Sequence, residues 1–264
     1  MTSAAVAAAP ARHQPVGRIR RRVRNVGVGA LGALALAVIG FLIWTSTPYV
    51  ADRGPVIDVW ASSDVEVQYL DEGILMTPVG AAAARSERPT GLVFVPGARV
   101  DAHAYMFQLS GVVEQHGVTV LITEPALNLA FFDFRGIDDF TTAAPNIDRW
   151  FVAGHSLGGV RACLMTAGSG VEGLALFGSY CANDVSDLDL RVLSVAGEND
   201  LLSTPATIEQ NATLLPGDAR FITIDGANHA SFGDYGVQSG DGERTITSDQ
   251  MRNELSTLLG ELLG

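Results

Sequence analysis

Gly154-His155-Ser156-Leu157-Gly158-Gly159 is the stretch whose reading decides the fold. It contains Gly-x-Ser-x-Gly and directly follows an apolar, strand-like run, Trp150-Phe151-Val152-Ala153. A serine on such a strand–turn–helix junction has its hydroxyl held at the tip of a tight turn, available as a nucleophile. The flanking glycines are needed because the turn runs close to a neighbouring strand, where a side chain would collide. A helix starting at Leu157 aims its first amides at the same place, so the Leu157 N–H is one expected donor to an oxyanion. The chain holds 29 glycines, enough for the pattern to arise by chance, so the reading rests on its surroundings.

On both sides of the elbow, strand-like and helical segments alternate. Strands are expected at residues 65–70 and 74–79, an opening hairpin, and at 91–95, 118–123, 150–153, 174–177, 192–196 and 221–224. Helices are expected at 102–116, 157–167, 205–214 and 248–262, while 128–144, rich in Phe and Asp, reads as helix, loop or small cap. This alternation builds an α/β domain with a mostly parallel, doubly wound sheet.

A serine hydroxyl is a poor nucleophile at neutral pH and needs a base, which in turn needs a carboxylate to fix its tautomer. Past the elbow the only histidine is His229, just beyond the 221–224 strand. Gly197-Glu198-Asn199-Asp200 ends the 192–196 strand, and Asp200 is the preferred acid over Glu198, with Asp184 as the fallback. Ser156, Asp200 and His229 therefore all follow the carboxyl ends of strands, where open α/β sheets build their sites, in the chain order nucleophile, acid, base. The second oxyanion donor is expected from Pro96-Gly97-Ala98-Arg99: the Ala98 N–H first, the Gly97 N–H next. Arg99 reads either as a surface charge or as a pocket-facing grip on an anionic substrate. His155 is expected to turn away from the nucleophile as a packing or hydrogen-bonding residue.

The N-terminal part is of another kind. Residues 26–44 are nineteen consecutive residues without a charge, about 28 Å as a helix, close to the thickness of a bilayer core. Arg18, Arg20, Arg21, Arg22 and Arg24 precede them, which places the N-terminus in the cytoplasm and the rest outside. The run is longer than a signal-peptide core, and Tyr49-Val50-Ala51 lacks the small residue a cleavage site needs. An uncleaved single-pass transmembrane helix in the cell membrane is expected, with secretion after cleavage as the alternative. The expected division is 1–25 a basic, unstructured cytoplasmic tail, 26–44 the anchor, 45–55 a linker with two prolines, and 56–264 the catalytic domain. Residues 51–264 hold eleven arginines against 29 acids, a net charge of −18, which argues against binding nucleic acid or an anionic surface. Cys163 and Cys181 are too few for a zinc cluster; they read as a disulfide or as two separate buried thiols.

With these residues in hand, the chain resembles the α/β-hydrolases and, more narrowly, their small dienelactone-hydrolase-like group with little or no cap. The resemblance covers residues 55–264. It is carried by Val95-Pro96-Gly97-Ala98-Arg99-Val100-Asp101, the elbow, Phe177-Gly178-Ser179-Tyr180, and Gly226-Ala227-Asn228-His229-Ala230-Ser231-Phe232-Gly233-Asp234-Tyr235-Gly236. It implies a Ser156–Asp200–His229 triad with no metal and no organic cofactor. It also implies that Cys163, on the post-elbow helix, approaches Cys181 past the next strand. Dienelactone hydrolases use a cysteine nucleophile where this chain has Ser156, so a general serine esterase-type activity is what carries over. The expected function is a membrane-anchored serine hydrolase cleaving carboxylic esters or thioesters of small-molecule or lipid-like substrates. An acyltransferase with the same triad and a non-catalytic binding module at the cell surface are the alternatives.

Overall fold

The computed structural model describes residues 16–264 apart from 87 and 169. The expectation of an unstructured tail falls outside the described residues for 1–15. The chain divides into two compact units, Met1–Trp44 and Thr45–Gly264.

In the first unit one helix, α1 (Val16–Thr45), takes in the arginine-rich residues expected to be unstructured. Arginine is a good helix former, and no proline interrupts the run between Pro15 and Pro48. Within it Arg20–Thr45, 26 residues with a mean hydropathy of 2.5, is long and apolar enough to cross a membrane, a test that a signal sequence also meets.

The second unit carries α2 (Arg53–Ala61), α3 (Met106–His116), α4 (Ile137–Thr141), α5 (Leu157–Met165), α6 (Pro205–Gln210) and α7 (Ser248–Leu263). Its strands are β1 (Val65–Leu70), β2 (Gly73–Pro78), β3 (Thr90–Val95), β4 (Thr119–Thr123), β5 (Arg149–His155), β6 (Val171–Phe177), β7 (Arg191–Gly197) and β8 (Arg220–Ile224). They form one sheet in the order β1-β2-β4-β3-β5-β6-β7-β8. Only β2 runs against its neighbours; from β4 to β8 every pairing is parallel.

Both faces of the central strands are buried, which is why these strands are apolar throughout instead of alternating. Leu92, Phe94, Phe151 and Phe177 face α2, α3 and α7, whereas Val93, Val95, Val152 and Leu176 face α4 and α5. The region 128–144 resolves into two single 3-10 turns and the five-residue α4, so no separate cap domain forms.

The register sets up the site. Val95 pairs with Gly154, His155 with Phe177, Phe177 with Val195, and Gly197 with Ile224. Five parallel strands therefore end nearly level, and the loops bearing Ala98, Ser156, Gly178, Asp200 and His229 leave from one edge.

Residues 45–55 do not behave as the expected linker. Tyr49 makes a parallel bridge with Val100, its N–H donating to Arg99 O at 2.7 Å and its carbonyl accepting from Asp101 N at 3.0 Å. The Asp52 N–H donates to Asp234 O at 2.7 Å, and the Tyr49 and Tyr235 rings lie 5.7 Å apart. Pro48 and Pro55 suggest an irregular stretch, but Pro55 lies in the first turn of α2, and the irregular backbone before it still offers N–H and C=O groups that the domain takes up.

Candidate active site

Ser156 sits between β5 and α5 with φ 52° and ψ −124°, a strained conformation for a non-glycine residue that needs surroundings to enforce it. Its N–H donates to Phe177 O at 3.0 Å, and its carbonyl accepts from Ser179 Oγ at 2.6 Å and from Gly159 N at 3.0 Å. The glycines have the role expected of them. A Cβ on Gly158 would lie 2.0 Å from Val95 O, and one on Gly154 would lie 2.3 Å from the Gly158 backbone. The turn can close only without those side chains.

His229 opens the 3-10 turn His229–Phe232 beyond β8. Its Nδ1 is 2.7 Å from Asp200 Oδ2, and both side chains are sealed from solvent. The other oxygen of Asp200 accepts the N–H groups of Leu202 at 2.8 Å and Ser203 at 2.7 Å. Asp241 steadies the histidine's backbone by accepting the His229 and Ala230 N–H groups at 3.1 and 2.9 Å. The competing acids are engaged elsewhere: Glu198 accepts the Gly226 N–H at 2.9 Å, and Asp184 closes a local turn with Ser186.

No hydrogen bond joins the Ser156 hydroxyl to His229 in this structure, and such contacts are often loose before substrate binds. The two are brought together through their neighbours. His155, preceding the serine, has its ring centroid 4.4 Å from that of His229. Gly178 follows Phe177, whose carbonyl holds the Ser156 amide, and a Cβ there would lie 3.0 Å from Asp200 Oδ2 and 3.1 Å from His229 Nδ1.

The loop after β3 corrects two expectations. The Gly97 N–H is not open to a substrate, because it donates to the Tyr105 hydroxyl at 2.9 Å. Arg99 is engaged by the chain itself instead of facing the pocket: its guanidinium donates to the carbonyl and hydroxyl of Thr47 and lies 5.6 Å from the Tyr49 ring centroid. Once residues 45–49 pack on this loop, their acceptors come within hydrogen-bond reach of the arginine. The Ala98 N–H, by contrast, meets no acceptor among the described residues. Leu157 is the first residue of α5, so its N–H has no partner within the helix.

Cys163 on α5 is bonded to Cys181 beyond β6, with Cα atoms 5.6 Å apart. Among the described residues, no group of three or more His, Cys, Asp or Glu is arranged to hold a metal ion. Sequence reasoning missed Tyr105, Ser179 and Asp241. Their partners lie 8 to 50 residues away, and only the resemblance drew attention to the stretch holding Ser179.

A family model described as "Alpha/beta hydrolase family" matches residues 91–253, from β3 into α7. The chain belongs to the α/β hydrolase family. No curated protein matches this hydrolase. Among solved structures it is similar to a predicted CIB-like hydrolase from Thermoplasma acidophilum, with a TM-score of 0.54 and 14% identity over 75% of this chain and 99% of the other. At that identity the likeness speaks for the fold alone.

Proposed function

We propose that this hydrolase is a serine hydrolase that cleaves carboxylic ester or thioester bonds through an acyl-enzyme, using Ser156, His229 and Asp200. The observation that carries the reading is the strained Ser156 elbow on the same sheet edge as a buried Asp200–His229 pair. Ser156 Oγ attacks the acyl carbon while its proton passes to His229 Nε2. Asp200 holds the Nδ1 proton and stabilises the imidazolium. The oxyanion is held by the N–H groups of Leu157 and Ala98. As the C–O or C–S bond breaks, His229 gives its proton to the departing alcohol or thiol. Water then attacks the acyl-serine, losing a proton to His229, and the acid leaves as that proton returns to Ser156 Oγ.

Two further observations bear on substrate and place. Loops at the same edge of the sheet expose large apolar side chains: Phe131 (61%), Phe134 (86%), Leu201 (64%) and Val237 (92%). Such a rim suits a lipid-like acyl group. The disulfide belongs to an oxidising compartment, in keeping with an outward-facing domain anchored in the cell membrane by residues 26–44. Labelling of the full chain with a fluorophosphonate, together with turnover of nitrophenyl esters of increasing chain length, tests the reading. Ser156→Ala is expected to abolish labelling and to lower kcat by about 10⁶-fold. Retention of most esterase activity by that variant would refute it.

A further inference from the structure

Tyr105 and His155 form a buried pair that the steps above do not use. Tyr105 ends the 3-10 turn Ala102–Tyr105, and its hydroxyl accepts the Gly97 N–H at 2.9 Å while lying 2.9 Å from His155 Nδ1. Neither side chain reaches solvent. A phenol has one proton to give. The phenol proton has no other acceptor among the described residues than His155 Nδ1, so we assign it there, which leaves the His155 proton on Nε2. Burial raises the Tyr105 pKa, so the hydroxyl keeps its proton. Burial, and then the neighbouring His229, hold the His155 pKa far below the usual range, so this ring stays neutral beside the base. Nε2 makes no hydrogen bond among the described residues.

The pair acts on the loop that offers the second oxyanion donor. The Gly97 N–H is held by Tyr105. The Gly97 carbonyl, in the same peptide plane as the Ala98 N–H, accepts from Val100 N at 3.2 Å. The next amide, Arg99 N–H, donates to Asn128 O at 2.7 Å. Of three consecutive amides, two are tied down and the middle one is left open. The Gly97 N–H belongs to the preceding peptide, so freeing it would let the Pro96–Gly97 peptide turn and, through the Gly97 Cα, shift the next peptide and its Ala98 N–H.

We propose that Tyr105 and His155 are positioning residues of this site: the Tyr105 hydroxyl holds the Gly97 amide so that the Ala98 N–H meets the oxyanion, and His155 Nδ1 keeps that hydroxyl turned. This rests on the reading of Ser156 as the nucleophile. Oxyanion donors must be fixed before charge develops, and removing one outright typically costs ~10²–10³-fold in kcat. Loosening one is expected to cost about tenfold.

The test is the rate at which a fluorophosphonate labels the full chain in detergent, because the phosphoryl oxygen uses the same donors. Tyr105→Phe is expected to lower the limiting labelling rate about tenfold while leaving the half-saturating probe concentration unchanged. His155→Asn, whose Oδ1 replaces the Nδ1 acceptor, is expected to keep the rate within about twofold of wild type; His155→Leu is expected to fall as far as Tyr105→Phe. A Tyr105→Phe rate equal to wild type overturns the proposal, as does a loss confined to probe affinity or a His155→Asn variant as slow as His155→Leu. Tyr105→Phe, which keeps the ring, decides the matter if the His155 variants do not fold. Wild-type chain that resists labelling altogether refutes the nucleophile as well; a labelled wild type with an equally fast Tyr105→Phe variant refutes the positioning role alone.

Discussion

Asp200 Oδ2 lies 2.7 Å from His229 Nδ1, and neither side chain is open to water. A carboxylate so placed fixes the imidazole with its proton on Nδ1 and leaves Nε2 bare to accept one. Asp200→Asn keeps the shape but offers an N–H or a weaker acceptor in its place. A fall in kcat of about 10³–10⁴-fold is expected, with KM little changed. Steady-state kinetics on a short nitrophenyl ester checks this, and a loss below tenfold would remove Asp200 from the mechanism.

Gly178 lies between the end of β6, whose Phe177 carbonyl holds the Ser156 amide, and the Asp200–His229 pair. Its φ is +49°, where an L-residue is strained, and the added methyl of Gly178→Ala would press on both Asp200 and His229. The backbone penalty alone is about 1–2 kcal/mol. Activity is expected to fall more than stability does, because the methyl meets the two side chains proposed as acid and base directly. Comparing urea unfolding midpoints with kcat separates the two effects.

The disulfide joins α5 to the segment after β6 across a sequence separation of 18. Closing a loop of that length in the unfolded chain contributes about 3 kcal/mol. Cys163→Ala/Cys181→Ala is expected to lose roughly that amount. Native protein is expected to resist alkylation, and unfolding without reductant to expose no free thiol, as mass spectrometry reads directly.

The Asp101–His103 pair gives a pH dependence of stability. The hydrogen bond from His103 lowers the Asp101 pKa, and the same bond raises the His103 pKa. The Asp101 contribution is present above its unfolded value, near pH 4, and fades as pH falls through the lowered folded value. The His103 contribution is complete below its unfolded value, near pH 6.5, and fades as pH rises through the raised folded value. The Tm difference between wild type and His103→Gln is therefore expected to be largest between about pH 4 and 6.5 and to shrink well above that window. A difference that grows toward pH 9 would contradict the ion pair. The effect is small, because both side chains are nearly one-third exposed.

Much of the fold was legible because its signals are local. Eight apolar runs became eight strands within a residue or two of their expected ends, except that β6 begins three residues early at Val171. The helix expected at 102–116 begins with a 3-10 turn, Ala102–Tyr105. The one at 205–214 is cut at Gln210 and followed by another, Ala212–Leu214. Shortening of this kind depends on packing against neighbours, which residue periodicity does not record.

The site divides the same way. The sequence by itself determined the elbow, since the glycines at 154 and 158 are dictated by a turn only they can make, and it determined the order Ser156, Asp200, His229 along the strand ends. Tertiary structure alone decided which amide of the Pro96–Arg99 loop stays open, that Arg99 turns to Thr47, that residues 45–52 bind the domain, and that Tyr105 reaches both Gly97 and His155. The physical reason is one of range. Strand, turn and helix follow from neighbours a few residues apart, whereas a hydrogen-bonding group takes whichever partner the folded chain brings within 3 Å of it, however distant in sequence.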